Sequence, residues 1–245
     1  MFSNVSIKAS LAEGHTAFYQ NILGMTSTAR GWRFNNQGAS LSFTDIAQPY
    51  QPKPQDFFWK IGVTVVNLDL AYQWLRQHGV FVTEPSQFKD IGYLAHLSDP
   101  SGMTIELLQT TFSDSSPSTT LPHPISSGAT VAHISVRCHD RQHMLSWCQQ
   151  QGLILKSIQP VTDYGFTLYF FSWIDEPLPD SELTAVANRE WLWQRPYTLL
   201  EFQLIENQQP FLVPGEGGAG LFEVVSDNGL IINSQCLTEA GLAKG

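Results

Sequence analysis

Three times in this chain an alternating strand pattern runs into a short amphipathic stretch that stops at a glycine, and this repetition limits the folds open to it. In NVSIKASLAEGHTAFYQNILGM, Val5 and Ile7 alternate with Asn4, Ser6 and Lys8, the period-two signature of a strand with one buried face. Phe18 and Ile22, with Ala17 and Leu23, then form a helical stripe, and Gly24 stands where a left-handed C-cap is expected. KIGVTVVNLDLAYQWLRQHGV repeats the plan. Ile61, Val63 and Val65 face one way, Lys60, Gly62 and Thr64 the other, and a stripe of Leu70, Ala71, Trp74 and Leu75 ends at Gly79. HISVRCHDRQHMLSWCQQQGL is the third copy. His133, Ser135 and Arg137 share the polar face, Asp140 is placed to cap the helix, Met144, Leu145, Trp147 and Cys148 form its apolar side, and Gly152 closes it. Strand-like runs follow each helix: MTSTARGW and ASLSFTDI; VFVTEP, GYLAHLSD and MTIELLQT; LILKSIQ, FTLYFFSW and YTLLEFQL. The unit is βαβββ, and the expected fold class is α+β.

Two breaks separate the units. IAQPYQPKPQD (46–56) is a Pro-rich link, and SDSSPSTTLPHPISSG (113–128) is a Ser/Thr/Pro linker that marks the strongest boundary. The division expected is a paired-module domain over 1–112, the linker over 113–128, a third module over 129–205, and a C-terminal extension over 206–245. That extension carries a Gly-rich turn, GEGGAG, and one more strand candidate, GLFEVVSD. Charge narrows the partners. Thirteen basic residues stand against 22 acidic ones, for a net −9, with no Lys/Arg-rich run. Nucleic acid and anionic membrane are therefore poor partners. No apolar run approaches the roughly 20 residues of a membrane span, and MFSNVSIKAS lacks the apolar core of a signal peptide. Three cysteines, Cys138, Cys148 and Cys236, have no metal-type spacing and are odd in number. A cytoplasmic protein without a disulfide framework is expected.

Asp99-Pro100-Ser101-Gly102 followed by Met103 to Leu107 resembles the D-P-x-G-x-x-I-E-L turn into the last strand of the vicinal-oxygen-chelate superfamily, which includes glyoxalase I, bleomycin-resistance proteins and extradiol dioxygenases. Phe18-Tyr19 followed by Leu23-Gly24-Met25 resembles the end of that superfamily's first helix. FTLYFFSWIDEPLPD, REWLWQRP and YTLLEF resemble the amino-terminal half of eukaryotic glyoxalase I. The resemblance implies modules paired into cupped mixed sheets around a small-molecule ligand. It also implies a divalent metal (Zn, Ni, Mn or Fe) held by imidazole and carboxylate ligands from the first and last strands of each module. The first-strand positions hold Asn4, Lys60 and His133, and the last-strand positions hold Ser42, Glu106 and Glu201. Asn and Ser are weak ligands and a lysine repels a dication, so a Lys60–Glu106 ion pair is expected in a cup made by modules one and two. His133 and Glu201 remain as metal ligands. A third would come from Glu106, if module three packs on module two, or from a second subunit in a homodimer.

Two functions follow as expectations. One is a glyoxalase-like, metal-dependent lyase or isomerase acting on a small oxygenated substrate, with Glu201 or Glu106 as the proton-transfer base. The other is a metal-free binding protein of the resistance or sequestration type, which Asn4, Ser42 and Lys60 favour. Extradiol oxygenation fits less well, because it wants two histidines and only one suitable one is present. Substrate contacts are expected from Lys60, from Arg137 toward a carboxylate, and from a lid in which Trp193 and Arg195 stand beside Trp191 and Arg189. Each candidate also has a plainer role. His133 can bond a backbone carbonyl, Glu106 can pair with Lys60, the tryptophans can plug the core, and Arg137 can form a local salt bridge. Phe57, Phe58 and Trp59 either line a cup or enter the core. His139 and His143, four apart, lack the glutamate of helical zinc motifs.

Overall fold

The computed structural model describes the chain except residues 12, 35–37, 47–49, 116, 207–208, 214–217 and 245. Parts of the Pro-rich link, the Ser/Thr/Pro linker and the GEGGAG turn thus lie outside the described residues. The first module comprises β1 (Phe2–Ala9), a short α1 (His15–Ala17) that widens into a π-helical turn over Phe18–Ile22, β2 (Thr26–Thr28), β3 (Gly31–Arg33) and β4 (Ser40–Asp45). The second comprises β5 (Phe58–Val65), α2 (Leu68–Gln77), β6 (Ser86–Phe88), β7 (Gly92–Ser98) and β8 (Thr104–Gln109). The third comprises β9 (Thr130–Cys138), α3 (Arg141–Gln150), β10 (Ile154–Val161), β11 (Phe166–Ser172), an inserted α4 (Ala187–Trp193) and β12 (Leu199–Leu204). The βαβββ plan therefore recurs three times. Gly24, Gly79 and Gly152 all take positive φ, from +70 to +74°, as left-handed caps require. Asp140 caps α3 by accepting the His143 N–H at 2.9 Å, and Asn67 serves α2 in the same way toward Leu70.

The strand order corrects the expected pairing of modules. Modules two and three, not one and two, share a sheet of eight strands, β10-β11-β12-β9-β5-β8-β7-β6, joined by antiparallel pairing of β5 with β9. Module one builds a second, six-stranded sheet with the chain's last strands, β13 (Gly220–Ser226) and β14 (Ile231–Asn233), in the order β14-β13-β1-β4-β3-β2. The C-terminal extension is thus part of the sheet architecture, and it ends in a short helix, α5 (Ser234–Glu239). The physical reason lies in burial. Strands β5 and β9 are buried along almost their whole length on both faces, whereas β1 alternates between buried and half-buried residues. Doubly covered strands belong at the centre of the larger sheet, and a one-sided strand suits the smaller one.

Buried side chains from both sheets share one core cluster, with Val5, Ile7 and Tyr19 beside Ile61, Ile134 and Phe202, and a second cluster gathers Ile91, Leu108, Phe170 and Trp193. Polar bonds cross between the modules as well. Tyr19 donates its hydroxyl to Asp99 Oδ2 at 2.8 Å, and the Trp74 indole N–H donates to the Ile22 carbonyl at 2.9 Å. Among the described residues, no helix is long and apolar enough to cross a membrane.

Candidate functional site

The register of the large sheet assembles the site. Across the β5–β9 pairing, Gly62 stands opposite His133 and Lys60 opposite Ser135. Strand β8 sets Glu106 beside Gly62, and β7 sets His96 beside Glu106. On the other side, β12 sets Glu201 beside Ser135, and β11 sets Phe170 beside Glu201. Because strand side chains alternate, two rows project from one face: His96, Glu106, Gly62 and His133 in one, and Lys60, Ser135, Glu201 and Phe170 in the other. Gly62 makes the crossing close enough. A Cβ at this position would stand 2.1 Å from His133 Cε1, so the imidazole occupies space that any other residue would fill.

Four of these groups converge. Lys60 Nζ donates to Glu106 Oε2 at 2.5 Å, and His96 Nε2 lies 2.9 Å from the same oxygen. His133 Nε2 is 3.4 Å from Glu106 Oε1 and 3.1 Å from Glu201 Oε2, within ion-pair distance of both carboxyls though aligned for a hydrogen bond to neither. Ser135 Oγ donates to Glu201 Oε2 at 2.9 Å. Lys60, Glu106, His133, Ser135 and Glu201 are all buried, while the His96 side chain is 39% exposed and marks the rim. Burial pushes the Glu106 carboxyl up. The neighbouring Lys60 ammonium, helped by His133 and His96, outweighs that and holds it well below the usual carboxylate range.

Above the cluster lies a cavity of about 210 Å³. Its polar floor is Lys60, His96, Glu106 and Glu201, and its aromatic walls are Trp59, Phe88, Tyr164, Phe166, Phe170 and Trp193. The insertion between β11 and β12 closes one end. Trp193 donates its indole N–H to the Ile91 carbonyl at 2.8 Å, and Arg189 reaches the Asp90 carbonyl at 2.9 Å. Module three is thereby tied to the β6–β7 hairpin of module two. Trp193 is both plug and wall.

The predicted site residues divide accordingly. Lys60, Glu106, His133, Glu201 and Trp193 come together, and the expected Lys60–Glu106 pair forms within a cup made by modules two and three. That cup is complete within one chain. Arg137 does not line the cavity. Its guanidinium donates to Gln203 Oε1 at 3.1 Å and to the Asp56 carbonyl at 2.9 Å, which turns it toward the segment preceding β5. Arg195 is also elsewhere, paired with Glu176 Oε2 at 3.1 Å and stacked over Trp191. Asn4 and Ser42 contact each other at 2.9 Å in the smaller sheet. Phe57 and Phe58 are core residues, and Trp59 is a cavity wall. His139 and His143 lie at the start of α3, with His143 exposed. Sequence reasoning missed His96 and Gly62. The alternation in GYLAHLSD was the only signal for His96, and it says nothing of the strand His96 will face.

A divalent metal can be tested against this donor set. Glu106, His133 and Glu201 are competent ligand types, but the fourth position is Lys60, whose ammonium already sits on Glu106. Bringing a dication there sets two cationic centres against one carboxylate. No group of three or more His, Cys, Asp or Glu among the described residues is arranged to hold a metal ion. The donor set does not fit one.

Two βαβββ modules joined through antiparallel first strands, with buried ionisable groups beneath an apolar cavity, define a cupped fold. Residues 12–107 match the model of the Glyoxalase/Bleomycin resistance protein/Dioxygenase superfamily. The match runs from the segment before α1 into β8 and so covers less than half of the chain. Among solved structures, the chain is similar to a point mutant of glyoxalase I from Zea mays, with a TM-score of 0.62 and 15% identity over 91% of this chain and 74% of that one. The unmutated maize enzyme gives a TM-score of 0.57 at 14% identity, over 91% and 73%. A second maize point mutant gives 0.61 at 16%, over 98% and 77%. At these identities the likeness is one of fold. No curated protein matches the sequence.

Proposed function

We propose that the chain binds a small, largely apolar molecule in the cup between modules two and three, and that Lys60 replaces the divalent cation for which the fold is known. The observation that carries this is the buried Lys60–Glu106 contact at 2.5 Å. An ammonium already neutralises the carboxylate that a metal would need, and aromatic walls leave the rest of the cup suited to an apolar body. Glu106 and Glu201 are then structural and ligand-binding acceptors.

The metal-dependent lyase or isomerase is the second reading, favoured by the convergence of His133, Glu106 and Glu201 within one chain. In that reading Zn, Ni, Mn or Fe is held by His133 and Glu201, with Glu106 or Glu201 as base. Elemental analysis of protein purified without chelator or His-tag, after incubation with each of the four ions, separates the two. The expected result is far less than one metal per chain, unchanged in His133→Ala and Glu201→Ala. One equivalent that disappears in both variants would overturn the metal-free reading.

A further inference from the structure

We infer that the molecule this cup takes is a single small ring carrying one hydrogen-bond donor, and that Glu201 Oε1 accepts that donor. The inference rests on the binding reading above. Glu201 is 1% exposed, yet it lines the cavity. Its two oxygens are not alike. Oε2 receives the Ser135 hydroxyl and lies next to His133, whereas Oε1 has no hydrogen-bond partner among the described residues. A buried carboxyl oxygen without a donor is a strong site for one.

The other floor groups are already engaged. Both oxygens of Glu106 face cation-capable partners, Lys60 and His96 on one and His133 on the other. Lys60 Nζ spends its charge on Glu106 and on the Trp59 ring, 4.0 Å from the centroid. Among the described residues, Glu201 Oε1 is thus the buried acceptor on the cavity floor that is open to a ligand. Its surroundings fix the remainder of the molecule. Phe170 neighbours Glu201 in the sheet and meets Trp193 edge-on with centroids 5.3 Å apart, so a ring held by its donor lies against aromatic faces. About 210 Å³ equals roughly seven water volumes at about 30 Å³ each, which admits one ring with a short substituent. A carboxylate-bearing ring would place acceptor against acceptor.

Isothermal titration with four probes of similar size tests this: phenol, benzylamine, toluene and benzoate. Wild type is expected to bind phenol or benzylamine at least about tenfold more tightly than toluene, as giving a buried unpaired acceptor its donor supports, with benzoate weakest. The ratio of phenol to benzylamine reports whether a neutral or a cationic donor is preferred. Glu201→Leu should abolish the preference while toluene still binds. Should that variant not fold, Glu201→Gln keeps the shape and should shrink the preference for donor-bearing rings over toluene. Toluene binding as tightly as the donor-bearing rings would overturn the inference and leave the cup a binding site. Binding of none of the four would overturn the binding reading with it.

Discussion

Lys60 and Glu106 are a buried pair whose halves depend on each other. Removing one partner strands a charge, whereas removing both can be nearly neutral. Lys60→Met is therefore expected to cost about 3–5 kcal/mol in urea unfolding at neutral pH, and Lys60→Met with Glu106→Leu should recover most of it. The same pair sets a pH response. Folding depresses the Glu106 carboxyl below its unfolded value near 4.5, so its stabilisation is complete above that value and is lost as pH falls through the folded one. The stability gap between wild type and Glu106→Gln should narrow steadily on acidification; a gap that stays constant down to acid unfolding would contradict this. Much of this residue-level picture was legible. The superfamily resemblance, through its first- and last-strand ligand positions, set Lys60 beside Glu106, though in a cup made by modules one and two. Gly62 and His96 were not legible, because their importance arises only when a strand distant in sequence supplies the neighbour. Arg137 lies on the face its alternation indicated, but backbone carbonyls near Asp56 capture its guanidinium.

Among the elements, the insertion between β11 and β12 decides the shape of the cup. Its α4 carries Trp193, which packs against His133 and Phe170 and holds the β6–β7 hairpin through Ile91. Trp193→Ala should cost about 3–5 kcal/mol, as large aromatic truncations in cores do, and should loosen binding of any ring in the cup. A thermal melt and a titration on the same sample check both. The three modules and their caps could be read from periodicity, yet which modules pair could not be taken from linker strength. The strands themselves gave no signal either: Lys60, Gly62 and Thr64 in one and His133, Ser135 and Arg137 in the other give both a polar face, as Asn4, Ser6 and Lys8 give β1. That both faces of β5 and β9 are buried emerges only when the sheet is assembled.

Across the whole molecule, the two sequence signatures that identify the fold touch each other. Tyr19, from the end of the first module's helix, donates to Asp99 of the second module's D-P-S-G turn, whose other oxygen accepts the backbone N–H groups of Ser101 and Met103. Tyr19→Phe would leave Asp99 Oδ2 without its donor at a buried site. A loss of about 1–3 kcal/mol is expected, visible as a lowered urea midpoint, with an unchanged cup as judged by ring binding.

The strand pairings are nested like brackets: β1 with β13 outside, β5 with β9 inside. During synthesis the inner pair is available once β9 has emerged, while β1 must wait for β13. At about 5–20 residues per second, the intervening stretch takes on the order of 10–40 s to make. The nascent chain can thus close the cup between modules two and three before β13 arrives, and β1, paired with β4 on one side, meanwhile carries a bare edge on the other. Amide hydrogen exchange should show the inner strands more protected than β1 and β13. If the outer pair proved the slower to exchange, this order of assembly would have to be reversed.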